Sequence, residues 1–218
     1  MRRGDTGVVR AILALGLSAA LYGAAAVGVA APQDDHRAAM AAYAQGDIVA
    51  AMQLLRAPAA AGHAPSQALL AFMLDRADFP EEAVRWYREA ARQGHAEAIS
   101  ALGGLYATGR GVAKDEKAAW EHFSKAADLG DSLSIEVVAD AYLKGRFAGI
   151  ELDAGQAAPA VRRAAERGHL ASMEALAQAY TSGRLGLSAD GAEASAWRER
   201  VKQARVQRKL PPAVRPRP

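Results

Sequence analysis

The 218-residue chain has no cysteine, which excludes thiol chemistry, disulfide staples and a lipid-modified cysteine anchor. Its formal charge of +3 hides an uneven distribution: residues 31–196 carry 16 basic and 22 acidic side chains, and residues 197–218 carry 8 basic and 1 acidic. An acidic body with few aromatic residues gives no binding face for nucleic acid.

The chain opens with Arg2, Arg3 and Arg10, runs uncharged from Ala11 to Ala31, and continues Pro-Gln-Asp-Asp. That order predicts an export signal over residues 1–31. Cleavage after Ala30 places Gly28 and Ala30 at the small-residue positions, whereas a run of about 20 residues is also long enough to stay as a membrane anchor. Both alternatives place the remainder outside the cytoplasm. The chain is expected to be periplasmic or secreted after cleavage, or anchored in the inner membrane and facing the periplasm, with membrane contact only if the segment is retained.

From residue 32 to 204 the sequence repeats itself. A tyrosine is followed three residues later by a glycine at Tyr43/Gly46, Tyr106/Gly109, Tyr142/Gly145 and Tyr180/Gly183. A second glycine column, Gly62, Gly94, Gly130 and Gly168, is preceded eleven residues upstream by Ala51, Ala83, Ala119 and Ala157. Four residues before the alanine stands Asp47, Asp115 or Asp153, and Asp190 before Ala194 repeats the pairing; Phe79, preceded by Asp78, is the exception. Spacings in this range indicate stacked repeats. Aspartate ahead of a buried small residue predicts a helix start, because its carboxylate accepts from free first-turn amides. Glycine predicts a helix stop in the left-handed conformation. Each unit is therefore expected to be a helical hairpin that buries its apolar face only by stacking on the next. The fold class is all-α, a right-handed α-solenoid.

Residues 98–130 carry Leu102-Gly103, Tyr106, Gly109, Gly111-Val112, Asp115, Lys117-Ala118, Trp120, Phe123, Lys125-Ala126-Ala127 and Gly130. This pattern resembles the Sel-one-like repeat (SLR) family, a branch of the tetratricopeptide-type helical repeats. Residues 64–94 and 131–168 fit more loosely, with Leu74 and Ala77 replacing the tyrosine and glycine of the former and Phe147 replacing the second turn glycine of the latter. Residues 36–62 and 169–204 look like degenerate end units. The resemblance implies a non-enzymatic adaptor that binds a protein partner of unknown identity, here in envelope processes. Ser100, Thr108, Glu136 and Asp140 are candidate contact residues, and Trp120 a partly exposed aromatic.

Catalytic, metal and cofactor sites are not expected. His63, His95 and His169 each follow a closing glycine, a repeated turn position, and stacked units would hold them about 10 Å apart, against metal–ligand distances near 2 Å. His122 stands in the column of Trp86. Glu81/Glu82 and Asp115/Glu116 are first-turn acids. Gly103-Gly104 and Gly109-Arg110-Gly111 lack the lysine-serine ending of a phosphate loop. A cell-wall or β-lactam hydrolase is the disfavoured reading.

Residues 205–218 form a basic, proline-rich tail. Arg198, Lys202, Arg205 and Lys209 share one face if helix continues through them. The tail supports a second reading, a glycan-binding or envelope-tethering protein that holds an anionic envelope component.

Overall fold

A computed structural model describes residues 32–145, 147, 150 and 152–209. The segment 1–31, read as signal or anchor, and residues 210–218 of the basic tail lie outside the described residues. No helix among the described residues is long and apolar enough to cross a membrane.

The described residues form ten α-helices. They are α1 (Pro32–Ala44), α2 (Ile48–Ala60), α3 (Ala64–Arg76), α4 (Pro80–Arg92), α5 (Ala96–Thr108), α6 (Glu116–Asp128), α7 (Ser132–Lys144), α8 (Ala157–Glu166, after a 3-10 turn at Ala154–Gln156), α9 (Leu170–Ser182) and α10 (Gly191–Lys209). The last continues five residues beyond the repeat boundary expected at 204. The described residues divide into two compact units, the first ending at Asp115 and the second beginning at Glu116. In the first, α1 packs on α2, α2 on α3, α3 on α4 and α4 on α5. In the second, α6 to α10 pack in the same sequential way. Both units are thus stacked helix pairs, a fold dictated by the alternation of small and bulky apolar columns.

The small column lies where helices approach most closely. Ala51, Ala83, Ala119 and Ala194 are 0–1 % exposed. Around them the first unit buries Leu55, Leu70, Leu74 and Leu102, and the second buries Ile135, Val161, Leu176 and Trp197. Burying a Leu, Ile or Val side chain is worth roughly 1.5–3 kcal/mol, so these columns supply the main driving force. One polar ladder runs through the first core: Gln67, 4 % exposed, donates to the Ala59 carbonyl at 2.9 Å and accepts from Gln93 at 2.8 Å.

Two kinds of turn alternate. Gly62, Gly94, Gly130 and Gly168, with φ of 80–93°, each sit in a two-residue turn. There the amide of the next residue reaches back to the penultimate helical turn, as from His63 to Pro58 and from Asp131 to Ala126, both at 2.9 Å. Gly109, Gly145 and Gly183, with φ of 64–74°, instead cap their helices directly and open longer loops. Two of those loops close alike, the Asp115 amide donating to the Tyr106 carbonyl at 2.9 Å and the Asp190 amide to that of Tyr180 at 2.8 Å.

This geometry corrects two expectations. Tyr43/Gly46 does not share the column of Tyr106/Gly109: Gly46 lies two residues beyond α1 in a turn of the short kind, with the Asp47 amide bonded to the Ala42 carbonyl at 3.0 Å. Ala77 is not the stand-in for a glycine, because its φ is −84° and Asp78 takes the left-handed position at φ 68°. Aspartate tolerates that conformation better than most residues. Phe147 does replace a turn glycine, and it keeps the left-handed backbone, with φ 68° against 69° at Gly111.

The aspartates act at helix starts as their chemistry requires. Asp47 accepts from the Ala50 amide at 2.9 Å, Asp153 from Gly155 at 2.8 Å, and Asp190 from Ala192 at 2.9 Å and Glu193 at 3.1 Å. Asp131, absent from the aspartate column, does the same for Ser134 at 2.7 Å.

Candidate binding surface

The turn histidines are helix-start residues, and two of them have a hydroxyl partner of their own. His63, His95 and His169 each occupy the position before a helix. His63 Nδ1 lies 2.8 Å from Ser66 Oγ and His169 Nδ1 2.8 Å from Ser172 Oγ, three residues on. At His95 the corresponding residue is Ala98. His95 Nδ1 is left without a hydrogen bond, although the Glu97 carboxylate is 3.3 Å away. His36 joins the first of these pairs, its Nδ1 3.1 Å from the same Ser66 oxygen and its ring 5.3 Å from that of His63. Burial, and then the charges of His63 and His95, lower the His36 pKa. No cluster of three or more metal-ligating side chains occurs among the described residues.

The polar contact candidates do not converge. Ser100 is 4 % exposed and is core. Thr108 donates to the carbonyl of Gly104 at 2.8 Å within its own helix. Glu136 is exposed on α7, and Asp140 pairs with Lys144 at 2.7 Å. His122 bonds the Ala118 carbonyl at 2.8 Å. Trp197 is buried, 2 % exposed, under the Arg200 guanidinium at 4.4 Å. Of the basic face on α10, Arg198 bonds Thr181, Lys202 pairs with Glu199, and Arg205 pairs with Glu174.

Trp120 is the exception. It lies half-buried on α6, one residue beyond the small column, and forms the wall of an open cleft of about 230 Å³ between α6, α7 and α8. Its ring meets Tyr142 edge-on at 6.0 Å and Phe147 at 5.5 Å, and Phe123 closes the group 6.2 Å from Phe147. The left-handed backbone at Phe147 thus belongs to the residue that completes this aromatic cluster. Tyr142 is the one repeat tyrosine that lines the cleft. Burial and then the Asp153 carboxylate raise its phenol pKa.

Polar groups occupy the same walls. Ser124 Oγ is buried and has no hydrogen-bond partner. At the rim Arg163 pairs with Asp128 at 3.2 Å and donates to the Ala127 carbonyl at 3.3 Å. Gln156 and Pro159 form the exposed far edge. A cleft of this size accommodates a long side chain rather than a single water, whose share of liquid volume is about 30 Å³. The lining of the cleft is an aromatic wall with a few unpaired or rim polar groups. Sequence reasoning singled out Trp120 and Tyr142 separately and missed Ser124, whose only signal is its spacing from Tyr142.

Comparison with known proteins follows the repeats. The Sel1 repeat family model matches residues 64–95 and 96–131. An uncharacterized protein of Neisseria meningitidis serogroup B is 31 % identical over 94 residues, covering 43 % of this chain and 20 % of that protein. The chain therefore spans about a fifth of that relative's length. A Sel1 repeat protein from Oxalobacter formigenes has a crystal structure that superposes with a TM-score of 0.64 at 26 % identity, over 80 % of this chain and 74 % of that one. The protective antigen c5321 of uropathogenic Escherichia coli, which displays an SLR fold, superposes with a TM-score of 0.68 at 24 % identity, over 92 % of this chain and 41 % of that one.

Proposed function

Since the chain is a Sel1-repeat protein, we propose that it is a non-enzymatic scaffold that binds a partner protein through the cleft between α6, α7 and α8. The observation that carries this reading is the combination in that cleft of an aromatic wall with a buried hydroxyl that the fold does not use. The protein acts outside the cytoplasm in envelope processes, a placement supported by the charged, then apolar, then polar order of residues 1–35. Protein binding is favoured over tethering because Arg198, Lys202 and Arg205, on the expected basic face, are engaged within the chain.

Photocrosslinking in living cells tests the reading. A photoreactive residue at Gln156, on the cleft edge, is compared with one at Gln53, exposed on α2. The expected result is a discrete protein adduct from position 156 and none from 53. Equal smears from both positions, or retention on isolated envelope that disappears when residues 210–218 are deleted, would replace the scaffold with the tether.

A further inference from the structure

The cleft lies where one residue departs from an internal pairing. Between α4 and α5, Arg88 donates to the Tyr106 hydroxyl at 3.0 Å. Between α8 and α9, Arg162 donates to the Tyr180 hydroxyl, and its guanidinium carbon stands 5.7 Å over that ring. Each arginine precedes its tyrosine by 18 residues. The residue 18 places before Tyr142 is Ser124. Serine cannot reach across the gap that the arginine spans in the other two pairs. What remains, among the described residues, is the open volume, a tyrosine ring without its cation, and a buried Ser124 oxygen without a partner.

We propose that this cleft receives an arginine side chain of a partner protein, whose guanidinium takes the place held by Arg88 and Arg162 in the other pairs. The proposal rests on the scaffold reading and names what the partner presents. A guanidinium is planar and carries five donors, so it can stack on Trp120 while donating to the Tyr142 hydroxyl. The local field suits a cation. Asp153 acts on the Tyr142 phenol, and Asp128 stands at the mouth with its side chain 76 % exposed. Among the described residues lining the cleft the cation is Arg163, whose Nη1 is engaged by Asp128 and the Ala127 carbonyl. A lysine ammonium lacks the planar fork and stacks less well.

The test is an NMR titration of the whole protein with N-acetyl-arginine methylamide, reading the indole N–H signals of Trp86, Trp120 and Trp197. The citrulline and lysine counterparts serve as matched probes. The Trp120 signal is expected to shift saturably with the arginine compound, and at least about tenfold more weakly with citrulline, since a charged donor is lost. Ser124→Arg supplies the guanidinium from within, so it should abolish the response and raise the melting temperature. Tyr142→Phe keeps the ring, removes the acceptor, and should weaken the response severalfold even if Ser124→Arg does not fold. No saturable Trp120 shift, an equal shift with citrulline, or an undiminished shift in a folded Ser124→Arg protein overturns the proposal. A discrete crosslink at position 156 without a Trp120 response refutes the guanidinium alone. A Trp120 response without any protein adduct keeps the guanidinium site and refutes the scaffold.

Discussion

Of the described glycines, Gly111 is the one where an added Cβ would meet its neighbour most closely, and replacing it with alanine probes the stacking directly. Its φ is +69°, and a Cβ built there stands 2.6 Å from both the carbonyl carbon and oxygen of Pro80 and 2.9 Å from the Pro80 Cβ. The left-handed conformation costs a residue with a Cβ about 1–2 kcal/mol. Overpacking against atoms that cannot rotate away costs about 1–3 kcal/mol more. The sum, about 2–5 kcal/mol, corresponds to a fall in melting temperature of roughly 5–15 °C for a chain of this size. Gly94→Ala is the control, since its φ is +80° but a Cβ there meets nothing within 4 Å, leaving only the conformational cost. Thermal unfolding of both variants, followed by far-ultraviolet circular dichroism, should place Gly111→Ala clearly below Gly94→Ala, with both below wild type. If Gly111→Ala melts with or above Gly94→Ala, the approach of the 109–115 loop to α4 is not the close contact described.

Asp131→Ala removes the acceptor for the Ser134 amide at the start of α7 and should cost about 1 kcal/mol, read as a melting temperature lower by about 2–4 °C. Ala98→Ser gives His95 the hydroxyl that His63 and His169 already have and should stabilise by about 0.5–1.5 kcal/mol in denaturant unfolding. The His36 pKa is lowered by burial and by His63 and His95, so just below the ordinary value of about 6.5 the unfolded chain binds more protons than the folded one. Stability should therefore be fully present above that pH and decline as pH falls below it. The decline should be shallower in His36→Gln, as measured by unfolding at a series of pH values.

Much of the fold was legible because the glycine, alanine and aspartate columns each answer a local requirement: a left-handed stop, a close helix crossing, a free first-turn amide. The misreadings came where two local solutions share one residue type. Gly46 follows Tyr43 at the same spacing as Gly109 follows Tyr106, yet it sits in a two-residue turn, because α1 ends one residue after Tyr43 whereas α5 ends two residues after Tyr106. Asp78 was out of the helix-start column because it occupies the left-handed turn position itself. The histidines' turn position was visible in the sequence, but their serine partners were not, since a helix-start pairing of imidazole and hydroxyl has no strong signature. The cleft was the least legible feature. It follows from a serine that fills no column of its own, and it emerges only when the arginine–tyrosine pairs at the same 18-residue spacing are seen to close.

The measurement that bears most directly on the central claim is the yield of the crosslink from position 156 in cells expressing the wild-type chain or Ser124→Arg. The account predicts a discrete protein adduct with the wild type and its loss when the cleft is filled by the chain's own arginine, with helical content unchanged. An adduct of equal yield in both would contradict it, because the partner would then be held without entering the space between α6, α7 and α8.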